Sequence, residues 1–177
     1  MIKEYKFNKE RILLGIVFLL LMLIFSFYFL LEPEKFIRNI FTRKETNQIL
    51  GIMGIILFSS LIFSSLKILP RKYAIRITDE YLIDNSKYES FGKIEWNNIS
   101  KTQRIKKYSI EIFLNEPVFK DRKIDMFRKY LLFMSNWNYK KSIIISSAIL
   151  NCDVEELYKE INLAHKKNKK TIQNSHL

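Results

Sequence analysis

Few residues in this 177-residue chain have the types and spacing that a reaction needs. It holds one cysteine, Cys152, and two histidines, His165 and His176. A thiol at the start of a helix can be acidified into a nucleophile, and Cys152 precedes a helix-start pattern. A thiolate enzyme also needs a base within reach, however, and no His or Asn pattern surrounds Cys152, so a structural cysteine is expected. Neither histidine has a ligand neighbour at i+4 or a Cys-x-x-Cys partner, so no metal is expected. Asp121 and Asp125 have the spacing of paired carboxylates on one helix face. The basic residues among them, Arg122, Lys123, Arg128 and Lys129, suit a solvated face better than acid–base work. Asp79, Glu80, Asp84, Glu155 and Glu156 fall in turn and cap patterns. The chain has no P-loop, G-x-G-x-x-G or G-x-S-x-G motif, and its 4 glycines leave few places to cradle a phosphate. The expectation is a non-enzymatic protein without catalytic residues, cofactor or metal.

Charge is the remaining chemical feature. The 30 Lys and Arg against 18 Asp and Glu give a net +12, and 22 of those basic residues lie from Lys67 onward, against 13 acidic ones. Lys67, Arg71, Lys72 and Arg76 cluster directly after an apolar run and read as membrane-proximal anchors. Beside an anionic cytoplasmic leaflet such residues are each attracted by about 1 kcal/mol. Specific headgroup recognition is the lesser alternative for them. Nucleic acid is not expected, because the aromatic residues are not interleaved with Arg and Lys along one strand. The expected partners are a lipid bilayer with an anionic cytoplasmic leaflet and an unidentified protein.

The elements that would position these groups begin with two apolar runs. Positions 12–31 (ILLGIVFLLLMLIFSFYFLL) carry no charge, and about 20 helical residues match a hydrocarbon core of about 30 Å. A buried helix of a soluble protein would keep a polar stripe, and a cleaved signal would end in a small-residue site rather than Glu32-Pro33-Glu34-Lys35. Positions 49–66 form a second uncharged run, softened by Gly51, Gly54, Ser59, Ser60, Ser64 and Ser65. Small residues let helix backbones approach in lipid, so these six are expected to face the first helix. Neither run holds an ionisable residue of the kind that marks transport paths. Lys3, Lys6, Lys9 and Arg11 before the first run, with the four basic residues after the second, outnumber Lys35, Arg38, Arg43 and Lys44 between them. The positive-inside rule then puts both termini in the cytoplasm.

The expected division is a cytoplasmic N-terminus over 1–11, a transmembrane helix over 12–31, an extracytoplasmic loop over 32–48, a second transmembrane helix over 49–66, a cytoplasmic domain over 67–165 and a basic polar tail over 166–177. Within the domain, period-two patterning predicts strands over 73–78, 81–84, 90–94, 99–105, 108–114 and 142–146. Helical spacing of Ile124, Phe127, Leu131 and Met134 predicts a helix over 121–134. That helix either packs across the open end of the strands, the preferred reading, or lies in the membrane surface with Phe127, Tyr130 and Phe133 in lipid. Asp153 and Glu156 have capping-box spacing ahead of a stripe of Val154, Leu157, Ile161 and Ala164, which predicts a last helix fading around His165.

Several short strands followed by an amphipathic helix suit a small β-barrel or sandwich. The segment Ile94-Glu95-Trp96-Asn97-Asn98-Ile99 is similar to an I-x-W-x-x-I signature. Together with the turn Tyr81-Leu82-Ile83-Asp84-Asn85-Ser86 and the closing strand and helix, the chain resembles a bacterial family of small two-span membrane proteins with a pleckstrin-homology-like (PH-like) cytoplasmic domain. That resemblance implies an α+β fold: an N-terminal two-helix transmembrane hairpin, then a PH-like barrel or sandwich with a C-terminal capping helix, Ile94, Trp96 and Ile99 being its signature. The family has no known catalytic residues to carry over. The functional expectation is an inner-membrane protein whose domain is a binding or scaffold module; the alternative is a membrane-embedded immunity protein against a toxin.

Overall fold

The computed structural model describes residues 2–36, 43–117, 124–135 and 141–174. The chain is α+β and divides into two compact units, one of residues 9–69 and one that joins the first eight residues to residues 70–177.

The first unit is a helical pair. Helix α1 spans Lys9–Leu31 and α2 spans Lys44–Ile68, with a 3-10 turn at Pro33–Phe36 after α1. Both helices are long and apolar enough to cross a membrane. Each is longer than its charge-free run, because Lys, Glu and Gln at the ends are good helix formers. The pair packs through small residues: a Cβ on Gly51 would lie 2.9 Å from the backbone N of Leu30 and O of Ser26, and one on Gly54 would lie 3.0 Å from the Ser26 Cβ. Ser60 is buried and donates to the Leu57 carbonyl (2.7 Å), and Ser65 donates to Leu61 (2.8 Å). Ser59 is exposed, which departs from the expectation that all six small residues face α1. It lies one residue, about 100° of helix turn, from the buried Ser60. Asn47, 2% exposed, donates to the Pro33 carbonyl (2.9 Å) and closes the polar end of the pair. Phe29 stacks on Phe36 at 4.0 Å, and Phe25 and Tyr28 meet Phe36 edge-on, so aromatic rings gather at that end. Most large side chains of the pair face outward, among them Leu14, Leu21, Ile24, Met53 and Ile56. The helix of a soluble core would bury that surface.

Among its described residues, the second unit holds seven strands in two antiparallel sheets. One has the order β1 (Lys3–Tyr5), β2 (Ile75–Ile77), β3 (Tyr81–Asp84), β4 (Gly92–Glu95), and the other β5 (Ile99–Lys106), β6 (Ser109–Leu114), β7 (Ser142–Ser146). Six strands match the period-two runs to within a few residues. The seventh, β1, lies in the stretch read as a plain N-terminus; Glu4 pairs with Arg76 and Tyr5 with Ile75. Tyr5 and Phe7 are each 5% exposed, so this stretch is part of the core. The helical pair is thus an insertion between the first two strands of one sheet.

Among the described residues no closed barrel forms. The sheets part at a 3-10 turn (Trp96–Asn98) between β4 and β5. At the far corner they meet at the isolated Phe7–Leu150 bridge, made by the amide bonds Asn8 to Ile149 (2.8 Å) and Asn151 to Lys6 (3.0 Å). Closure needs a ladder that runs on from strand to strand, and two corner contacts do not supply it.

Helix α3 spans Met126–Ser135; the expected start at 121 lies outside the described residues. Helix α4 spans Val154–Asn174 and does not fade at His165. Lysine is a good helix former, Asn168 donates to the Ala164 carbonyl (2.9 Å), and Lys167 reaches Asp79 (3.0 Å), so the basic stretch continues as helix. Buried Val154, Leu157 and Ile161 make its apolar stripe.

Candidate functional site

The four basic residues expected to anchor beside a membrane, Lys67, Arg71, Lys72 and Arg76, divide into two kinds. Lys67, in the last turn of α2, and Lys72 are exposed, and the Lys67 ammonium lies 5.3 Å from the Phe63 ring centre. The two arginines are engaged within the strand unit. Arg76 faces Glu4 directly across the β1–β2 ladder, forms an ion pair with it, and lies 3.9 Å from the Tyr73 ring centre. Arg71 is half-buried, and its Nη1 donates to the carbonyls of Asn85 and Lys87, each at 2.8 Å. Burial, and next the neighbouring Arg128 charge, lower the Arg71 pKa, while Asp84, Glu89 and Tyr88 act the other way. An arginine remains cationic under such pressure, so Arg71 is a permanently charged latch on the segment that follows β3.

That segment, 84–91, is built as a polar hub. Asp84, 1% exposed, accepts from the Ser86 amide (2.9 Å) and hydroxyl (2.6 Å). The Lys87 amide donates to the Ser90 hydroxyl (2.8 Å), and the Arg128 guanidinium of α3 donates to the Ser90 carbonyl. Tyr88 meets Phe127 of α3 with ring centres 6.0 Å apart. A cavity of about 10 Å3 between this hub, Leu132 and Ile143 is no larger than one water. The hub therefore positions α3 and Arg71 and leaves no room for an organic ligand.

The signature residues of the resemblance converge in the core. Ile94, Trp96 and Ile99 are 1%, 3% and 3% exposed. The Trp96 indole donates to the Thr78 carbonyl (2.9 Å) and so fixes the β2–β3 turn, where the Thr78 hydroxyl donates to the Tyr81 carbonyl (2.7 Å). His165 Nε2 lies 2.8 Å from the Ile99 carbonyl oxygen. A carbonyl only accepts, so Nε2 carries the proton there and the ring ties α4 to β5. An open depression of about 340 Å3 beside Trp96 is lined by Asp79, Glu80, Tyr81, Lys93 and Glu95, with the Lys93 ammonium 4.2 Å from the Tyr81 ring centre. Its charges are mixed in sign and it is shallow.

Among the described residues, those that could have done chemistry have structural surroundings. Burial, reinforced by Glu156 and then Asp153, pushes the Cys152 thiol up to about 11, the opposite of activation. Glu155 is ion-paired with Arg104. Asp121 and His176 lie outside the described residues, and Asp125 accepts from the Arg128 amide (2.8 Å) as a helix N-cap. Among the described residues, no group of three His, Cys, Asp or Glu is placed to hold a metal.

One arrangement is not apparent from the sequence. Lys3, expected only to orient the chain, lies 2.9 Å from Glu160 and 3.6 Å from Glu156 of α4, and the Tyr5 hydroxyl donates to Glu156 at 3.4 Å. Burial is the main cause that raises the Tyr5 phenol to about 12. The alternation of Tyr5 and Phe7 with Glu4 and Lys6 is the signal that could have pointed to it.

No family model and no solved structure matches the chain. Among curated proteins it is similar to one from Buchnera aphidicola subsp. Baizongia pistaciae (strain Bp) named "Putative chaperone PpiD", with 32% identity over 128 residues. The match takes in 72% of this chain, which spans only 22% of that protein.

Proposed function

We propose that the chain is an integral protein of the bacterial inner membrane, with both termini cytoplasmic, and that its strand unit is a PH-like, non-enzymatic binding or scaffold module at the membrane face. The observation that carries this reading is the insertion of two long apolar helices, each with a charge-free central run, between β1 and β2 of one sheet. Because Glu4 pairs with Arg76, residues 8 and 70 must lie on the same side of any bilayer the pair crosses. The excess of basic residues at those ends over the loop between the helices favours the cytoplasmic side. Sheets of four and three antiparallel strands with a closing C-terminal helix support the PH-like plan, and the buried Ile94, Trp96 and Ile99 support the resemblance. On this reading Lys67 and Lys72 meet an anionic leaflet, and the similarity to a protein named as a chaperone favours a polypeptide as further partner.

Reporter fusions after residue 177 test the placement. A fluorescent reporter that matures in the cytoplasm should be bright, and a phosphatase that needs the periplasm should be inactive. The reverse pattern would sink the cytoplasmic assignment.

A further inference from the structure

The tip of the β5–β6 hairpin departs from the residue preferences of its own turn. Lys107 and Tyr108 alone connect the two strands. Hairpin turns of that length favour Asn and Gly, because the common types need positive φ. Among the described residues only Gly92 has a positive φ, so this turn takes another form and the ladder adjusts to it. Arg104 pairs with Ile110 and Lys106 with Ser109, which leaves Ile105 as the extra residue of a bulge. A bulge re-aims the side chain it carries, and Ile105 is 36% exposed. Tyr108 is 47% exposed, and the exposed Lys107 places its ammonium 5.2 Å from the Tyr108 ring centre. Isoleucine, lysine and tyrosine serve such a turn poorly, and a broken local preference of this kind marks a surface that the tip meets.

We propose that this tip, with Ile105, Lys107 and Tyr108, rests in the headgroup layer of an anionic bilayer, as a membrane contact of the strand unit besides the chain's own entry points. The inference rests on the membrane reading above. Position selects the occupant. The Ser147 amide donates to the Tyr108 carbonyl (2.8 Å), and two residues further the Ile149 carbonyl accepts from the Asn8 amide (2.8 Å). Chain geometry then holds the Tyr108 carbonyl within about 15 Å of the Asn8 amide. The next residue, Lys9, begins α1. Asn8 precedes the charge-free run at Ile12 by about 6 Å of helix, which is headgroup depth where α1 crosses a bilayer. The tip is therefore held beside the point at which the chain passes the headgroups. Charge fits the same occupant. Lys107 and Lys6, whose carbonyl accepts from Asn151 beside that corner, are both exposed, whereas Arg104 is ion-paired with Glu155. At a lipid surface a lysine meets phosphate, and a tyrosine ring sits at headgroup level with an apolar neighbour turned to the tails.

The full chain, with Cys152→Ser or Cys152→Ala as background, can carry a fluorescent probe on a single new cysteine: Tyr108→Cys or Ile105→Cys in the tip, Asn97→Cys as a reference, or Leu20→Cys in α1. Asn97 is exposed and precedes β5, whose eight residues carry it about 25 Å from the tip. Reconstitution uses phosphatidylcholine vesicles with or without phosphatidylglycerol. In the anionic vesicles, spin-labelled lipid should quench a tip probe about two-fold more than one at position 97, and aqueous iodide should quench it about two-fold less. The lipid quenching should weaken about two-fold without phosphatidylglycerol, and likewise when Lys107→Glu is added to the chain labelled at 105. One tip label suffices for support, since each label replaces a residue of the contact. Iodide access at both tip positions equal to that at 97 overturns the proposal, as does shielding from both quenchers, which indicates a protein cover, or equal quenching in both lipids. Position 20 separates the two levels: lipid quenching at 20 without quenching in the tip defeats only the hairpin contact, and its absence at 20 defeats the membrane reading as well.

Discussion

At the residue scale, the polar atoms that the sequence offers for chemistry or lipid contact are largely consumed by the fold. Arg71 spends its guanidinium on two backbone carbonyls. Arg71→Met should release the 84–91 segment, and amide hydrogen exchange should accelerate at Ser86, Lys87 and Ser90 while the β6–β7 ladder stays protected. Trp96 combines a buried ring with one indole bond. Trp96→Phe should cost about 1 to 2 kcal/mol and Trp96→Ala about 3 to 5, read from denaturant unfolding in detergent. Cys152 provides the pH test. Its folded pKa of about 11 lies above the unfolded value, so the thiol favours the fold fully below about pH 8.5. That contribution is lost as pH rises through the folded value. Alkylation of the native protein should accordingly stay slow at pH 9 and rise towards pH 11, whereas the unfolded chain should react readily by pH 9.

At the element scale, packing geometry decides what each helix tolerates. A side chain at Gly51 would meet backbone atoms of α1, which cannot swing aside as a side chain could. Gly51→Leu should therefore weaken the helical pair by about 1 to 3 kcal/mol, measured as loss of helix association in mild detergent. A Cβ added at Gly15 would meet nothing within 4 Å. Gly15→Ala should be neutral or stabilise α1 by up to about 1 kcal/mol in the same assay. Helix α4 is held by Lys3, by Asp79 at its far end and by its own apolar stripe, which explains why the lysine-rich stretch remains helical.

At the scale of the whole molecule, the strand unit is discontinuous in sequence, and its first strand is separated from its second by the entire helical pair. A chain starting at Pro70 lacks β1, Tyr5 and Phe7. Joining residues 2–8 to residues 70–177 through a flexible Gly/Ser linker should restore about 3 to 6 kcal/mol relative to residues 70–177 alone, from burial of those two aromatic side chains. Cooperative thermal unfolding of the joined chain, at a higher midpoint, is the expected outcome; equal midpoints would mean that β1 is dispensable. The apolar runs, six strands and the start of the last helix were legible in the sequence because periodicity and the absence of charge are local properties of consecutive residues. The same locality hid β1: three paired residues give too short a pattern, and the partner Arg76 lies 72 positions away. It also hid the roles of Arg71 and Lys3, since the carbonyls and carboxylates they bind converge only when distant segments pack. Sequence alone thus determined that the chain divides into an apolar helical pair and a basic, strand-rich part. Tertiary structure decided that the N-terminus belongs to that second part, because a sheet edge is completed by whichever strand reaches it in space.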